Sequence, residues 1–127
     1  MFHGMLFFKG VFLFLLAGLA FAQGSYPTKT VRIIVGFGAG GGYDIYARTI
    51  APYIAKNLGP SVSVVVENQP GAGGLTALNR IYTAAPDGLQ MMLVNGTGAA
   101  LAQLTEAQGA RFDMGKVGHL GTVSASP

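Results

Sequence analysis

Val31-Arg32-Ile33-Ile34-Val35-Gly36-Phe37-Gly38-Ala39-Gly40-Gly41-Gly42-Tyr43-Asp44 reads as a buried strand, a glycine loop and the first turn of a helix. A near-continuous run of apolar β-formers predicts a central strand of a parallel sheet. The glycines that follow allow φ > 0 and leave no side chain between main-chain N–H groups and a ligand. The helix then points its unpaired N–H groups and partial positive charge at the same spot. Together these features make an anion cradle, suited to a carboxylate or a phosphate.

The same arrangement recurs downstream. The spacing of Ala47, Ile50, Ala51, Ile54, Ala55 and Leu58 predicts a helix from about Tyr43 to Leu58 with one apolar stripe, ended by Gly59-Pro60 and kinked at Pro52. A second strand is expected over Val62–Val66. It runs into Glu67-Asn68-Gln69-Pro70-Gly71-Ala72-Gly73-Gly74, and a second helix follows over about Leu75–Ala84 with Leu75, Leu78, Ile81 and Tyr82 on one face. Pro86-Asp87-Gly88 is a turn. A third strand, Leu89–Val94, opens onto the small-residue loop Asn95-Gly96-Thr97-Gly98 and a short helical pattern, Ala99–Leu104. Three strand–loop–helix units predict an α/β fold whose loops share the carboxyl edge of a parallel sheet, where such sheets bind ligands. Beyond Leu104 the pattern weakens. Glu106–Gly118 reads as loop with a turn at Arg111-Phe112-Asp113, Leu120–Val123 as a possible fourth strand, and the ending at Pro127 as an interruption of the domain.

Composition narrows the function. The 127 residues allow at most one domain, half of them are hydrophobic and only 10% are charged. A net charge of +3 with no Lys/Arg cluster argues against nucleic acid as a partner. The absence of cysteine excludes disulfides, thiolate catalysis, Cys-ligated metals and a lipid-modified N-terminal Cys. Met1–Ala22 reads as a secretory signal peptide: Lys9 supplies positive charge, Val11–Phe21 the apolar run, and Ala20-Phe21-Ala22 a small-x-small cleavage site before Gln23. The run of about a dozen residues is short of the ~20 needed to span a bilayer. Export without a Cys anchor points to a periplasmic, soluble protein.

Catalytic constellations are missing from the sequence. There is no Gly-x-Ser-x-Gly motif, the mature region carries the lone His119, and no His/Asp/Glu cluster has metal spacing. An enzyme is therefore not expected, nor a metal or cofactor. Several prominent residues have ordinary structural readings. Asp44 suits the N-terminus of the first helix, Glu67 local hydrogen bonds, Arg48 a solvated or loop-pairing role, and Met91 and Met92 the core.

The ordered motifs carry a resemblance. Tyr26-Pro27 before Val31-Arg32-Ile33-Ile34-Val35 is followed by Gly40-Gly41-Gly42-Tyr43-Asp44-Ile45-Tyr46-Ala47-Arg48, Val64-Val65-Val66-Glu67-Asn68-Gln69-Pro70-Gly71-Ala72-Gly73-Gly74 and Ala85-Pro86-Asp87-Gly88. In this order the mature chain resembles the N-terminal part of the Bug-type (tripartite tricarboxylate transporter) periplasmic substrate-binding proteins. The resemblance implies a type II periplasmic-binding-protein-like lobe, a three-layer α/β structure with a parallel or mixed sheet, here incomplete. Residues 23–127 would form part of the first of two lobes, truncated near the crossover to the second. It also implies a monomeric protein that captures a small organic carboxylate and presents it to tripartite tricarboxylate-type membrane transporter subunits. The family's ligand-facing loops map onto Phe37, Gly38, Ala39, Gly40, Gly41, Gly42, Tyr43 and the adjoining Asp44, and onto Pro70, Gly71, Ala72 and Gly73. The third loop would add Asn95 and Thr97. The chain departs from the family at Tyr43, where a small hydroxyl residue is usual. A phenol there is open to three roles: narrowing the pocket, stacking on a ring, or donating a hydrogen bond.

Two other classes fit parts of the sequence. Gly36-x-Gly38-x-x-Gly41 between strand and helix, with Glu67 at the end of strand two, matches a fragment of a dinucleotide-binding oxidoreductase. Against it, Glu67 lies 26 residues beyond Gly41 and the second glycine loop has no place in that fingerprint. A Walker loop fails because Gly42 stands where lysine is required. The third class is a fragment without binding activity, or one serving only as an interaction module.

Overall fold

The computed structural model describes Pro27 and residues 30–124. The expected signal peptide and its cleavage site lie outside the described residues. The elements run β1 (Val31–Val35), α1 (Gly42–Leu58), β2 (Val64–Asn68), a 3-10 turn (Ala72–Gly74), α2 (Leu75–Tyr82), β3 (Gln90–Leu93), α3 (Gly96–Leu104) and a 3-10 turn (Met114–Lys116). Among the described residues the sheet has three strands in the order β2-β1-β3, all parallel.

β1 is central, as its apolar run predicts. Val31, Ile33, Ile34 and Val35 are all buried, while Arg32 stays exposed and pairs with Glu67 of β2 at 2.8 Å. Right-handed crossovers in opposite directions put α1 and α2 on opposite faces of the sheet. Alternate residues of β3 show the division. Met91 and Leu93 join Ile33, Val35, Ala47 and Ala51 in the core under α1. Met92 packs, together with Val94 just beyond β3, against the second core of Leu78, Ala99 and Phe112. The result is the expected three-layer lobe, with both methionines in the packing.

Ile33 is 1% exposed in the first core. Ile33→Val, which deletes one buried methyl group, is expected to cost about 1 kcal/mol in urea unfolding without altering the fold.

Several boundaries differ from the expectation. Strand two begins at Val64 and runs to Asn68, not Val62–Val66. The Val62 N–H is held in a turn by the Gly59 carbonyl at 3.2 Å, whereas pairing with β1 continues until the Gln69 N–H meets the Val35 carbonyl at 2.8 Å. Glu67 and Asn68 are thus strand residues, not loop residues. Helix α2 stops at Tyr82 and strand three spans only Gln90–Leu93. The Leu89 N–H is turned towards the Asp87 carboxylate at 2.9 Å. Residues 96–98, expected as loop, form the first turn of α3, because Asn95 caps it by accepting from the Gly98 N–H at 2.9 Å. Helix α1 continues through Pro52, which is exposed, so the missing donor falls on the solvent side.

Leu120–Val123 forms no strand. Leu120 is 82% exposed and pairs with no neighbouring strand, and cross-strand contacts are what would stabilise it as one. The stretch read as loop before it is anchored at particular points. Asn79 donates to the Gly109 carbonyl at 2.6 Å and accepts from the Arg111 N–H at 2.8 Å. Phe112 is buried, and Asp113 caps the last 3-10 turn.

Candidate functional site

The parallel topology brings the ends of all three strands, and the helix starts that follow them, to one edge. The helices after β1 and β3 leave on opposite faces although these strands are neighbours. That divergence opens a crevice at a topological switch point, the usual ligand position in open α/β sheets. A cavity of about 230 Å³ lies there. Of the residues singled out in the sequence, the structure brings Phe37, Ala72, Gly73 and Asn95 to its lining. Gly38, Ala39, Gly40, Gly41 and Gly42 are exposed outside the lining, as are Pro70, Gly71 and Thr97. The lining includes Leu78, Met92, Val94 and Ala102 as well, which the sequence presents only as core or helix positions.

Gly36 is required by close packing against backbone. A Cβ on Gly36 would stand 2.7 Å from the Gly74 Cα, so the first and second loops touch backbone to backbone. Gly74 itself takes φ +94° beside the Phe37 ring. Gly40, at φ +80°, supplies the left-handed residue of the first loop. By contrast, a Cβ at Gly38 or Gly42 would meet nothing within 4 Å and neither has a positive φ. The fold does not require glycine at these two positions, so their bare backbone is a feature of the surface they present. Ala72 adds backbone strain at the cavity wall, with φ +46° on a non-glycine residue.

The first loop is locked by a buried carboxylate. Asp44 is 4% exposed. Its Oδ2 accepts from the Gly40 N–H at 2.8 Å and the Arg48 Nε at 3.0 Å. Its Oδ1 accepts from the Asn68 Nδ2 at 3.0 Å and lies 3.0 Å from an Arg48 terminal nitrogen. Asn68 also donates to the Phe37 carbonyl at 3.1 Å, tying loop one to the end of β2. Both Asp44 oxygens and the Gly40 N–H thus have partners within the protein. Asp44 therefore positions the loop, and Arg48 is its partner. An acid and a base at i,i+4 were a visible signal of that pairing. Asn68, arriving from another strand, had none.

The hydrogen bonds from Arg48, the Gly40 N–H and Asn68, in that order, hold the Asp44 carboxyl down at about 2, against an ordinary 3.8. A depressed acid contributes stability that is complete above its unfolded value and is lost as pH falls through the folded one. Stability should therefore drop between about pH 4 and pH 2. Asp113, lowered by the Gly115 N–H and Lys116, shares the direction. In Asp44→Asn the urea midpoint should be lower near neutrality and flatter across this window. A wild-type slope in Asp44→Asn would assign the acid effect elsewhere.

The free donors lie in the first helical turns. The first bond within α1 is Ile45 N–H to Gly41 carbonyl at 3.0 Å, so the N–H groups of Gly42, Tyr43 and Asp44 precede the helical ladder. The Gly41 N–H is already turned towards the Gly38 carbonyl at 3.4 Å. In α3 the ladder starts with Ala99 N–H to Asn95 carbonyl at 2.9 Å, leaving the N–H groups of Gly96 and Thr97 ahead of it. Tyr43 stacks on Phe37 with ring centroids 4.7 Å apart and planes at 17°. Glu67, the candidate ribose acid of the dinucleotide reading, is engaged by Arg32 at 2.8 Å and by Gln69 at 3.4 Å. Among the described residues no group of three His, Cys, Asp or Glu side chains is placed to hold a metal ion.

Comparison with known proteins gives one consistent result. The family described as "Tripartite tricarboxylate transporter family receptor" matches residues 46–114, just over half of the chain. A UPF0065 protein from the ttuE-ttuC' intergenic region of Agrobacterium vitis is 40% identical over 90 residues, covering 71% of this chain and 25% of that protein. Protein BugT of Bordetella pertussis is 36% identical over 69 residues, covering 54% of this chain and 21% of BugT. Among solved structures, one described as a periplasmic transporter aligns with a TM-score of 0.62 at 31% identity, over 70% of this chain and 29% of the other. The periplasmic binding protein BugD aligns at 0.50 with 39% identity, over 53% of this chain and 22% of BugD. The chain spans about a quarter of the length of the curated relatives it matches.

Proposed function

The chain belongs to the tripartite tricarboxylate transporter receptor family, and from that premise we propose that its glycine-lined edge captures a small organic carboxylate outside the cytoplasm for delivery to membrane transporter subunits. The observation that carries this reading is the convergence of bare backbone and unladdered N–H groups at the switch point of a parallel sheet. The carboxylate sits against the first turn of α1, at Gly42 and Tyr43, with the first turn of α3 as a second donor group. Gly38 and Gly41 leave the approach free of side chains. Ala72 and Gly73 of the second loop close the wall, held by the packing of Gly74 on Gly36. Binding needs no covalent step, only fixed dipoles directed at an anion.

Periplasmic residence, with a signal peptide cleaved after Ala22, and monomeric action accompany this proposal. Residues 30–124 supply one wall of the binding cleft, and the rest of a full-length receptor supplies the wall that closes on it.

Thermal unfolding of the protein in the presence of acetate, succinate, citrate, benzoate, their methyl esters and NAD tests the reading. Ligand at 100 times its Kd should add about 2.7 kcal/mol of stability. Stabilisation by at least one acid and by none of the esters is expected. Stabilisation by NAD alone would replace this reading with the dinucleotide one.

A further inference from the structure

We propose that the cavity takes a monocarboxylate with an apolar body, an aromatic or branched aliphatic acid, in preference to a polyanion. This inference rests on the carboxylate reading above and adds the class of acid. Among the described residues the cavity lining contains no charged side chain, and Asn95 is its one polar side chain. The walls are Phe37, Leu75, Leu78, Met92 and Val94, with small residues between them. A carboxylate at the start of α3, where Asn95 and Gly98 line the cavity, would place the remainder of its molecule among these groups.

Charge bookkeeping points the same way. A second or third carboxylate on the ligand would need a cation, because an unpaired charge against an apolar wall is costly. Two arginines of the sheet and of α1 are engaged elsewhere. Arg48 is held by Asp44 and Asn68, and Arg32 by Glu67. The helix starts offer partial charge sufficient for one anionic group. Size also fits, since an apolar cavity of about 150 Å³ accepts a benzene ring and this one has about 230 Å³. The Phe37 ring, held by Tyr43 on one face, adds an aromatic group to the lining, where offset or edge contacts between rings add to simple burial.

The test titrates the full chain with benzoate, cyclohexanecarboxylate, citrate and benzyl alcohol, following Kd and the methyl NMR signals of Leu78 and Met92. Benzoate or cyclohexanecarboxylate binding at least tenfold more tightly than citrate, with both methyl signals shifted, is the expected result. Citrate binding as tightly as either would overturn the apolar-body inference and leave the carboxylate reading standing. Benzyl alcohol binding as tightly as benzoate would overturn the carboxylate reading and show a cavity selective for rings alone. No binding by any of the four would overturn both.

Discussion

Gly36→Ala should lose about 3 kcal/mol of stability, roughly a hundredfold in the folded-to-unfolded ratio. The new Cβ would stand 2.7 Å from the Gly74 Cα and 3.3 Å from the Gly74 carbonyl oxygen. Neither neighbour is a flexible side chain that can rotate away. Relief requires the two loops to separate, and that would disturb the buried end of β1 and the Phe37 ring packed beside Gly74. Gly38→Ala is the matched control. Its Cβ meets nothing within 4 Å and its φ is not positive, so it should change stability by no more than about 0.5 kcal/mol. Urea unfolding of the two variants separates the cases. Equal stabilities would show that loops one and two do not make this backbone contact.

Gly41→Asp should abolish carboxylate binding while leaving the fold intact. Gly41 is the N-cap of α1, with φ −77° and ψ 168°. Aspartate is among the preferred residues at that position, so the helix tolerates the change or gains from it. Among the described residues the one nearby atom for its Cβ is the Gly38 carbonyl oxygen, at 3.4 Å. The new carboxylate, however, would accept from the same first-turn N–H groups that the ligand uses and would repel the ligand. At a separation of about 4 Å near a protein surface this is worth on the order of 2–4 kcal/mol, a loss of at least about 30-fold in affinity. Gly41→Ser caps the helix without charge and should retain most of the binding. Unchanged affinity in Gly41→Asp, measured by calorimetry with an acid that stabilises the wild type, would remove the first turn of α1 from the site.

The parts of this architecture that depend on local pattern were legible in the sequence. β1 was visible as a run of β-branched residues, and α1 as a stripe at Ala47, Ile50, Ala51 and Ile54 ended by Gly59. The glycine loops were legible because few other residues allow their backbone. What depended on distant partners was not. Glu67 and Asn68 look like loop residues until the pairing of β2 with β1 is known, which carries the strand through them. Gly96-Thr97-Gly98 has poor helix propensity, yet the Asn95 cap and the burial of Ala99 against Leu78 make it a helical turn.

The site divides in the same way. The glycine run before a helix was readable. Its lock was not, because Asp44 is held by Asn68 from a strand 24 residues away. For the same reason the Gly40 N–H, offered by the sequence to a ligand, is taken by Asp44. The apolar body of the cavity was hidden because Leu78 and Met92 have the same signature whether they fill a core or line a pocket.

The most direct test of main-chain anion capture is a ¹H–¹⁵N NMR titration of the chain with benzoate, resolved by residue. The account predicts that the amides of Gly42, Tyr43, Gly96 and Thr97 move along one binding curve. That of Gly59, at the far end of α1, should stay fixed. Shifts scattered over the surface that never saturate, with the first-turn amides of α1 and α3 unmoved, would contradict it.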